Sequence, residues 1–472
     1  WRERQARVVE ATRACWAAYR EDAYGMDEYR PMTRGGYNFA SQAGMGYMII
    51  DALDTLYLMG LRAEYEEARQ WLASNHTFAL DVPVNVFETT IRVLGGLLSA
   101  YHMSDGDSLY LAKALDLGER LLPAFNTYSG VPYNRINLNG QPATGHRFHH
   151  EHGCIAESGT LQLEFRYLSH LTGDMRFWYA AEGAMTHLLR LPTLDGLLPI
   201  AISPSDGESQ GQEYGLGARG DSYYEYLLKQ WLQTSKTEPH YRAAYEQSVH
   251  GIRKHLWRRA GGMHGRAIIG DMNEGTFRPR MEHLACFAGG MLALGATHGR
   301  PVSASRSELS SQARVELEMA EDVTETCWRM YSEMASGIAP EAVYFDMAGP
   351  HGAANKGKRS IYVLKNEAVS YLRPETVESL FILWRVTGNP RYREWGWQIF
   401  EALQQHASVP DGRGYASIVD VRILPTLKRD HLETFFIAET LKYLYLLFED
   451  DRNILPLEQY VFNTEAHPLP VF

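Results

Sequence analysis

Three carboxylates stand where apolar helical segments begin, places in which a charge is costly to bury unless it is paired or used. In Asn85-Val86-Phe87-Glu88-Thr89-Thr90-Ile91-Arg92 the acid Glu88 and the base Arg92 are four residues apart and share a helical face. The pair Gly95-Gly96 follows, and its lack of side chains lets another helix approach. In Gly217-Ala218-Arg219-Gly220-Asp221-Ser222, Asp221 holds the position of a helix N-cap before an aromatic and Leu-rich run. In Leu372-Arg373-Pro374-Glu375-Thr376, Pro374 opens a helix and Glu375 lies in its first turn, where the helix dipole favours a negative charge. Each segment alone has a structural explanation: an ion pair, a cap, a dipole partner. Three such starts, far apart in the chain and two with a nearby arginine, point instead to one shared site of carboxylates and guanidiniums.

Helices must position them. Apolar residues at three- and four-residue spacing run through Glu88 to Met103, Leu161 to Leu171, Tyr223 to Thr234, Glu375 to Thr387 and Glu433 to Phe448, while alternating runs are few and short. The helices end in a recurring junction, a Gly- or Asp-containing turn followed by an aromatic and another helix. Ser104-Asp105-Gly106-Asp107, Thr172-Gly173-Asp174 and Thr387-Gly388-Asn389-Pro390 are the clearest. Looser versions stand at Met59-Gly60, Thr234-Ser235-Lys236, Thr297-His298-Gly299 and Glu449-Asp450-Asp451. Seven junctions predict stacked helical hairpins. Seven inner helices packed about 9 to 10 Å apart can close into a ring with a bore wide enough for one sugar ring. An open solenoid is the alternative, and the need of the polar residues for a common meeting place favours closure. The polar C-terminal segment Tyr460 to Leu469 is placed to fold back into the bore.

The chain has 472 residues, 45% hydrophobic, 22% charged and 12% aromatic, and a formal net charge of -11. That composition is globular, and the acidic balance disfavours nucleic acid as a partner. With neither a signal-peptide core nor a run of about 18 apolar residues, this segment is expected to make no membrane contact, though it could be part of a longer precursor. Four cysteines, Cys15, Cys154, Cys286 and Cys327, include no Cys-x-x-Cys pair, which excludes a zinc ribbon or a thioredoxin-like site and leaves one disulfide or four free thiols open. The run His146 to His152 suggests a transition-metal site, but its spacing is compressed and no Cys completes a ligand set. Asn75-His76-Thr77 is an N-glycosylation sequon that chance explains as well as use.

Taken together, Phe87-Glu88-Thr89-Thr90-Ile91-Arg92 with Gly95-Gly96, Gly220-Asp221-Ser222-Tyr223-Tyr224-Glu225-Tyr226, Arg373-Pro374-Glu375-Thr376, Ala438-Glu439-Thr440-Leu441-Lys442-Tyr443 and Phe462-Asn463-Thr464-Glu465-Ala466-His467-Pro468 resemble the class I α-1,2-mannosidases of glycoside hydrolase family 47. The resemblance runs from about Gly36 to Leu469 and is nearest to the processing type of the endoplasmic reticulum. It implies an all-α (α/α)7 barrel, residues 1–472 as one catalytic domain, with a C-terminal β-hairpin plugging the bore. It implies inverting, Ca²⁺-dependent removal of α-1,2-linked mannose from high-mannose N-glycans, mainly nine-mannose to eight-mannose trimming, by a monomer in the lumen of the early secretory pathway.

By the same resemblance Glu88, Asp221 and Glu375 are the catalytic carboxylates, with Glu375 the base and either Glu88, through a water, or Asp221 the acid. Arg92, Glu157, Arg219, His283, Arg373, Phe435, Glu439 and Glu465 match positions that line sugar subsites or hold calcium-bound waters. Thr464 would hold Ca²⁺ through its hydroxyl and carbonyl oxygens, hard ligands that leave room for substrate. Cys286 and Cys327 match the family's disulfide. The resemblance supplies no role for the His146 to His152 run, and His431-Leu432-Glu433 replaces the more usual Met-Glu ahead of Phe435. Two competing expectations are a degradation-enhancing mannosidase-like protein and a non-catalytic high-mannose lectin; retention of all three carboxylates speaks against the lectin.

Overall fold

In the computed structural model, which describes residues 1–39, 44–139, 153–260, 265–347 and 361–472, the periodic segments are helices that alternate between two concentric rings. They are α1 (Arg2–Ala23), α2 (Tyr47–Leu58), α3 (Arg62–Asn75), α4 (residues 86–103), α5 (Ser108–Leu121), α6 (Gln162–Thr172), α7 (Met175–Leu188), α8 (Asp221–Gln233), α9 (Pro239–Gly251), α10 (Phe287–Thr297), α11 (Ser311–Ser332), α12 (Glu375–Thr387), α13 (Arg391–His406) and α14 (residues 436–448). The even-numbered helices form the inner ring. Each packs on the next, α2 on α4 and so on to α12 on α14, and α14 packs back on α2. The ring is therefore closed, and the (α/α)7 barrel replaces the open solenoid.

Burial explains the sorting. Every residue of α10 is buried, as suits a helix with neighbours on all sides. The outer α5 buries Tyr110, Ala114, Leu117, Gly118 and Leu121, one stripe at helical spacing. Six of the seven junctions join an inner helix to the outer helix that follows it. The seventh, Glu449-Asp450-Asp451, does not: its inner helix α14 pairs with α1, from the other end of the chain. The segment after it becomes the plug.

Since an outer helix lies between each inner helix and the next along the chain, all inner helices run in the same direction and begin at the same end. The connections back to that end carry short strands. From the opposite end enters the hairpin of β1 (Tyr460–Phe462) and β2 (Pro468–Pro470), paired antiparallel with Val461 opposite Leu469. The Gly95-Gly96 pair makes room for it as well as for a helix. A Cβ on Gly95 would lie 2.6 Å from Asn463 Nδ2, and one on Gly96 would lie 2.8 Å from the Ile50 carbonyl of α2. Cys286, just before α10, is bonded to Cys327 of α11, while Cys15 and Cys154 are buried free thiols.

Two expected boundaries shift. The last inner helix begins at Phe436 with a π-helical turn, Phe436–Leu441, so Glu433 lies outside it. Asp221 is the first residue of α8, not its cap, and its Oδ1 accepts from Ser222 N at 2.8 Å.

Candidate active site

The common direction of the inner helices puts Glu88, Asp221 and Glu375 at one end of the bore, each in the first turn of its helix, where the free backbone amides favour carboxylates. Asn85 fixes the start of α4: its Oδ1 accepts from Glu88 N at 2.9 Å while its Nδ2 donates to Glu157 at 3.0 Å. Arg92 is one turn below Glu88 and donates to it at 2.8 Å. The same guanidinium pairs with Glu465 of the plug and reaches Thr434 Oγ1 at 3.1 Å. A π-helical stretch, Thr89–Leu94, carries Arg92. Such stretches in otherwise α-helical segments often mark functional positions.

Glu375 is held by His283. Imidazole Nδ1 lies 2.8 Å from Glu375 Oε2, and Nε2 lies 2.9 Å from Tyr331 Oη and 3.0 Å from Thr376 Oγ1. Burial opposes the charge on Glu375, but the His283 hydrogen bond and the charges of His283 and Arg373 outweigh it and hold the carboxyl below its ordinary range. Asp221 goes the other way. Burial, with the negative charges of Glu225, Glu375 and Glu282, pushes its carboxyl up to about 8. Two acids at one mouth thus differ in protonation near neutral pH, the division of labour that acid–base catalysis needs.

Phe435 is buried between two cations, with the Arg92 guanidinium 5.7 Å and that of Arg373 5.6 Å from its ring centroid. Arg373 is fixed by Glu341 at 2.5 Å. Glu157 also accepts from Asn134 at 3.2 Å, and Arg219, in the left-handed region at φ 74°, donates to the Gly153 carbonyl beside it at 3.3 Å.

Deeper in the bore the plug presents Thr464. Its hydroxyl donates to Glu225 at 3.0 Å, and its backbone N–H reaches Tyr226 Oη at 3.4 Å. Among the described residues nothing donates to its carbonyl oxygen. Around it Glu225, Glu378, Glu439 and Glu465 crowd together, with Lys229 and Arg92 as their cationic partners. Burial, only partly offset by Lys229 and compounded by neighbouring acids, pushes Glu378 up to about 8; burial and like charges also raise Glu439 and Glu465. A cluster so short of positive charge, faced by uncharged hard oxygens, fits a divalent cation that prefers oxygen. The donor set is compatible with Ca²⁺ at Thr464.

Among the described residues a second group with metal-ligand chemistry, Glu28, His431 and Glu433, does not suit Ca²⁺. Its imidazole lies between the carboxylates, Nε2 2.8 Å from Glu433 and Nδ1 3.4 Å from Glu28, as a bridging cation would. The His146 to His152 run lies outside the described residues.

The residues singled out in the sequence meet at one end of the bore, and several that support them were not singled out. Glu225 is four residues after Asp221 and Glu378 three after Glu375, spacings that place each one turn deeper on the same helical face. That signal was readable. The ladder beneath Arg92 was not: His467 of the plug sits between Asp51 at 2.9 Å and Asp54 at 2.8 Å, and Lys442 bonds Asp54 at 2.8 Å, joining three elements distant in sequence.

The family model described as glycosyl hydrolase family 47 matches residues 11–471. The chain belongs to glycosyl hydrolase family 47. Within the family it is 44% identical over 472 residues to the endoplasmic reticulum mannosyl-oligosaccharide 1,2-alpha-mannosidase of Homo sapiens, covering 99% of this chain and 64% of that protein, just under two thirds of its length. The Schizosaccharomyces pombe protein of the same name is 44% identical over 477 residues, covering 99% of this chain and 89% of its own. The solved alpha-1,2-mannosidase from Trichoderma reesei superposes with a TM-score of 0.89 at 28% identity, over 100% of this chain and 99% of that one. The barrel of this family 47 chain thus superposes on the solved mannosidase over nearly the whole of both.

Proposed function

We propose that this chain is an inverting mannosyl-oligosaccharide 1,2-α-mannosidase that removes terminal α-1,2-linked mannose from high-mannose N-glycans, mainly converting a nine-mannose to an eight-mannose glycan. The observation that carries the reading is the pairing at the mouth of the bore of a charged, His283-oriented Glu375 with a proton-retaining Asp221. In this reading Glu375 takes a proton from water as it attacks the anomeric carbon, and the acid delivers a proton to the leaving oxygen on the other face. Asp221 suits the acid role directly. Glu88, bound to Arg92, acts in orientation or in proton delivery through a water.

Phe435 supplies an apolar face for the terminal sugar ring. Arg92, Arg373, Glu439 and Glu465 line the inner subsite, and Glu157 and Arg219 line the next. A Ca²⁺ ion held by the hydroxyl and carbonyl oxygens of Thr464 would supply a Lewis acid that also accepts sugar hydroxyls as ligands. The chain's own residues prepare that place through the surrounding carboxylates.

Residues 1–472 act as one catalytic domain and as a monomer, in the lumen of the endoplasmic reticulum or early secretory pathway. The names of the relatives and the Cys286–Cys327 disulfide, a bond of oxidising compartments, support this placement. No helix among the described residues is long and apolar enough to cross a membrane. The test is incubation of the purified chain with a nine-mannose N-glycan, followed by mass and linkage analysis of the products. Release of one α-1,2-linked mannose is the expected result. Tight binding of the glycan with no release would favour a lectin.

A further inference from the structure

His431 stands outside the residues assigned above, in the loop that enters α14, and both of its ring nitrogens face carboxylates. Nε2 is 2.8 Å from Glu433, and Nδ1 is 3.4 Å from Glu28 of the strand Glu28–Arg30. Backbone pairing fixes the two sides, since Leu432 N–H donates to the Tyr29 carbonyl at 3.0 Å. A neutral imidazole has one N–H and can satisfy one of these acids; an imidazolium has two and satisfies both.

The next residues along this loop lead into the proposed subsite. Thr434 bonds Arg92 at 3.1 Å, and Phe435 lies between Arg92 and Arg373. Glu433 experiences the charges of both arginines. The carboxylate gripped by His431 therefore also lies in the field of the guanidiniums that flank the ring under the terminal sugar, which are themselves bonded to Glu88, Glu465 and Glu341.

We propose that His431, in its protonated form, is a positioning residue: by bridging Glu433 and Glu28 it keeps Glu433 as the counter-charge of Arg92 and Arg373 and so fixes the Phe435 floor. This rests on the mannosidase reading and adds to it a pH-dependent control of substrate affinity. The groups facing the imidazole are Glu433 on its own loop, Glu28 and, behind it, Asp27 on the strand side, Arg429 at the loop's start, and Tyr371, whose ring meets it edge-on. The Glu433 hydrogen bond and the charges of Glu433 and Glu28 favour the proton, while burial and Arg429 oppose it, and the balance raises His431 above its ordinary range. Sign follows from that balance. Burial and the Glu433 charge push Glu28 up to about 7, so Glu28 takes up its own proton as pH falls. The charged grip of His431 on Glu433 persists there and is lost only as pH rises through the raised His431 value, leaving two carboxylates around an uncharged ring.

Affinity for α-1,2-linked mannobiose should therefore weaken with rising pH in the wild type. His431→Gln, which cannot become a cation, should bind about tenfold more weakly at pH 6 and show little further pH dependence, the size expected for loss of a charge-assisted hydrogen bond. His431→Lys, which keeps a charge at this position, should retain the tighter binding to higher pH than wild type. In turnover the change should fall on KM, with kcat within a fewfold of wild type. Calorimetric titrations at pH 6 and pH 8, with circular dichroism to verify folding, decide the matter. Equal pH dependence in wild type and His431→Gln, or a loss confined to kcat, overturns the proposal. Failure of the folded wild type to bind or cleave mannobiose at either pH would instead overturn the mannosidase reading.

Discussion

His283 lies in the connection ahead of α10 and Glu375 in the first turn of α12, yet Nδ1 of the imidazole lies 2.8 Å from Oε2 of the carboxylate, and the ring's other nitrogen is occupied by Tyr331 and Thr376. A carboxylate gripped this way has its remaining oxygen aimed by the scaffold rather than by its own rotamer preferences. Preorganisation of that kind is what a base for a positioned water requires.

Glu375→Gln keeps the shape and removes the basicity. We expect kcat to fall by about 10² to 10⁴, the usual contribution of a general base, with mannobiose affinity nearly unchanged. Steady-state kinetics beside calorimetric binding separates the two. A variant with near wild-type kcat would return Glu375 to the role of a helix-start residue.

The pH profile follows from two opposite shifts. Asp221 must be protonated to act as acid, so activity is lost as pH rises through about 8; Glu375 must be charged, so activity is lost only when pH falls through its lowered value. The expected kcat profile is a bell whose alkaline limb lies near 8. Asp221→Asn should abolish that limb along with most of the activity, and persistence of the limb in residual turnover would reassign the acid to Glu88.

With Glu225, Glu378, Glu439 and Glu465 crowded around Thr464, a cation bound there would balance charge as well as supply chemistry. Chelation should stop hydrolysis and lower Tm, and Ca²⁺ should restore both better than Mg²⁺, whose rigid octahedral shell sheds water reluctantly and so accepts sugar hydroxyls poorly as ligands. Full activity after verified removal of bound metal would defeat this assignment.

The Cys286–Cys327 bond closes a loop with a sequence separation of 41 residues. In the chain-entropy account such a closure is worth about 4 kcal/mol. Cys327→Ser should lower stability by an amount of this order in denaturant titrations while the folded fraction keeps its activity; an unchanged midpoint would remove the bond's structural role.

What the sequence made legible was local. Glu88 with Arg92, and Glu375 behind Pro374, announced helix starts because caps, dipoles and four-residue spacing are properties of adjacent turns. The junction turns announced hairpins for the same reason. The pairing of α1 with α14 was not legible, because nothing near Glu449 signals that its partner lies at the other end of the chain. Nor was the His467, Asp51, Asp54 and Lys442 ladder, whose members become neighbours only when the plug enters the bore. Glu433 was read as helical because the apolar period extends to it; its bond to His431 and its place ahead of the π-helical turn put it in a loop instead.

Branch choice is the remaining expectation, and it turns on Arg219. The residue sits two positions before Asp221, in a left-handed backbone conformation whose carbonyl is fixed by Ala156 N–H at 3.1 Å, and its guanidinium reaches the Gly153 carbonyl at 3.3 Å. Glu157, held by Asn85 and Asn134, lies on the adjoining segment. The planar fork of a guanidinium suits the hydroxyls of one correctly placed sugar. A branch that left those donors unmet would lose roughly 1 to 3 kcal/mol, enough for a ten- to hundredfold preference. Wild type should accordingly slow sharply after one mannose and give mainly one eight-mannose isomer. Arg219→Leu should accept further branches and run on to smaller glycans at a reduced first-step rate. A time course of products resolved by chromatography distinguishes this from a purely structural Arg219, for which the variant would be slower or less stable but would yield the same isomers in the same order.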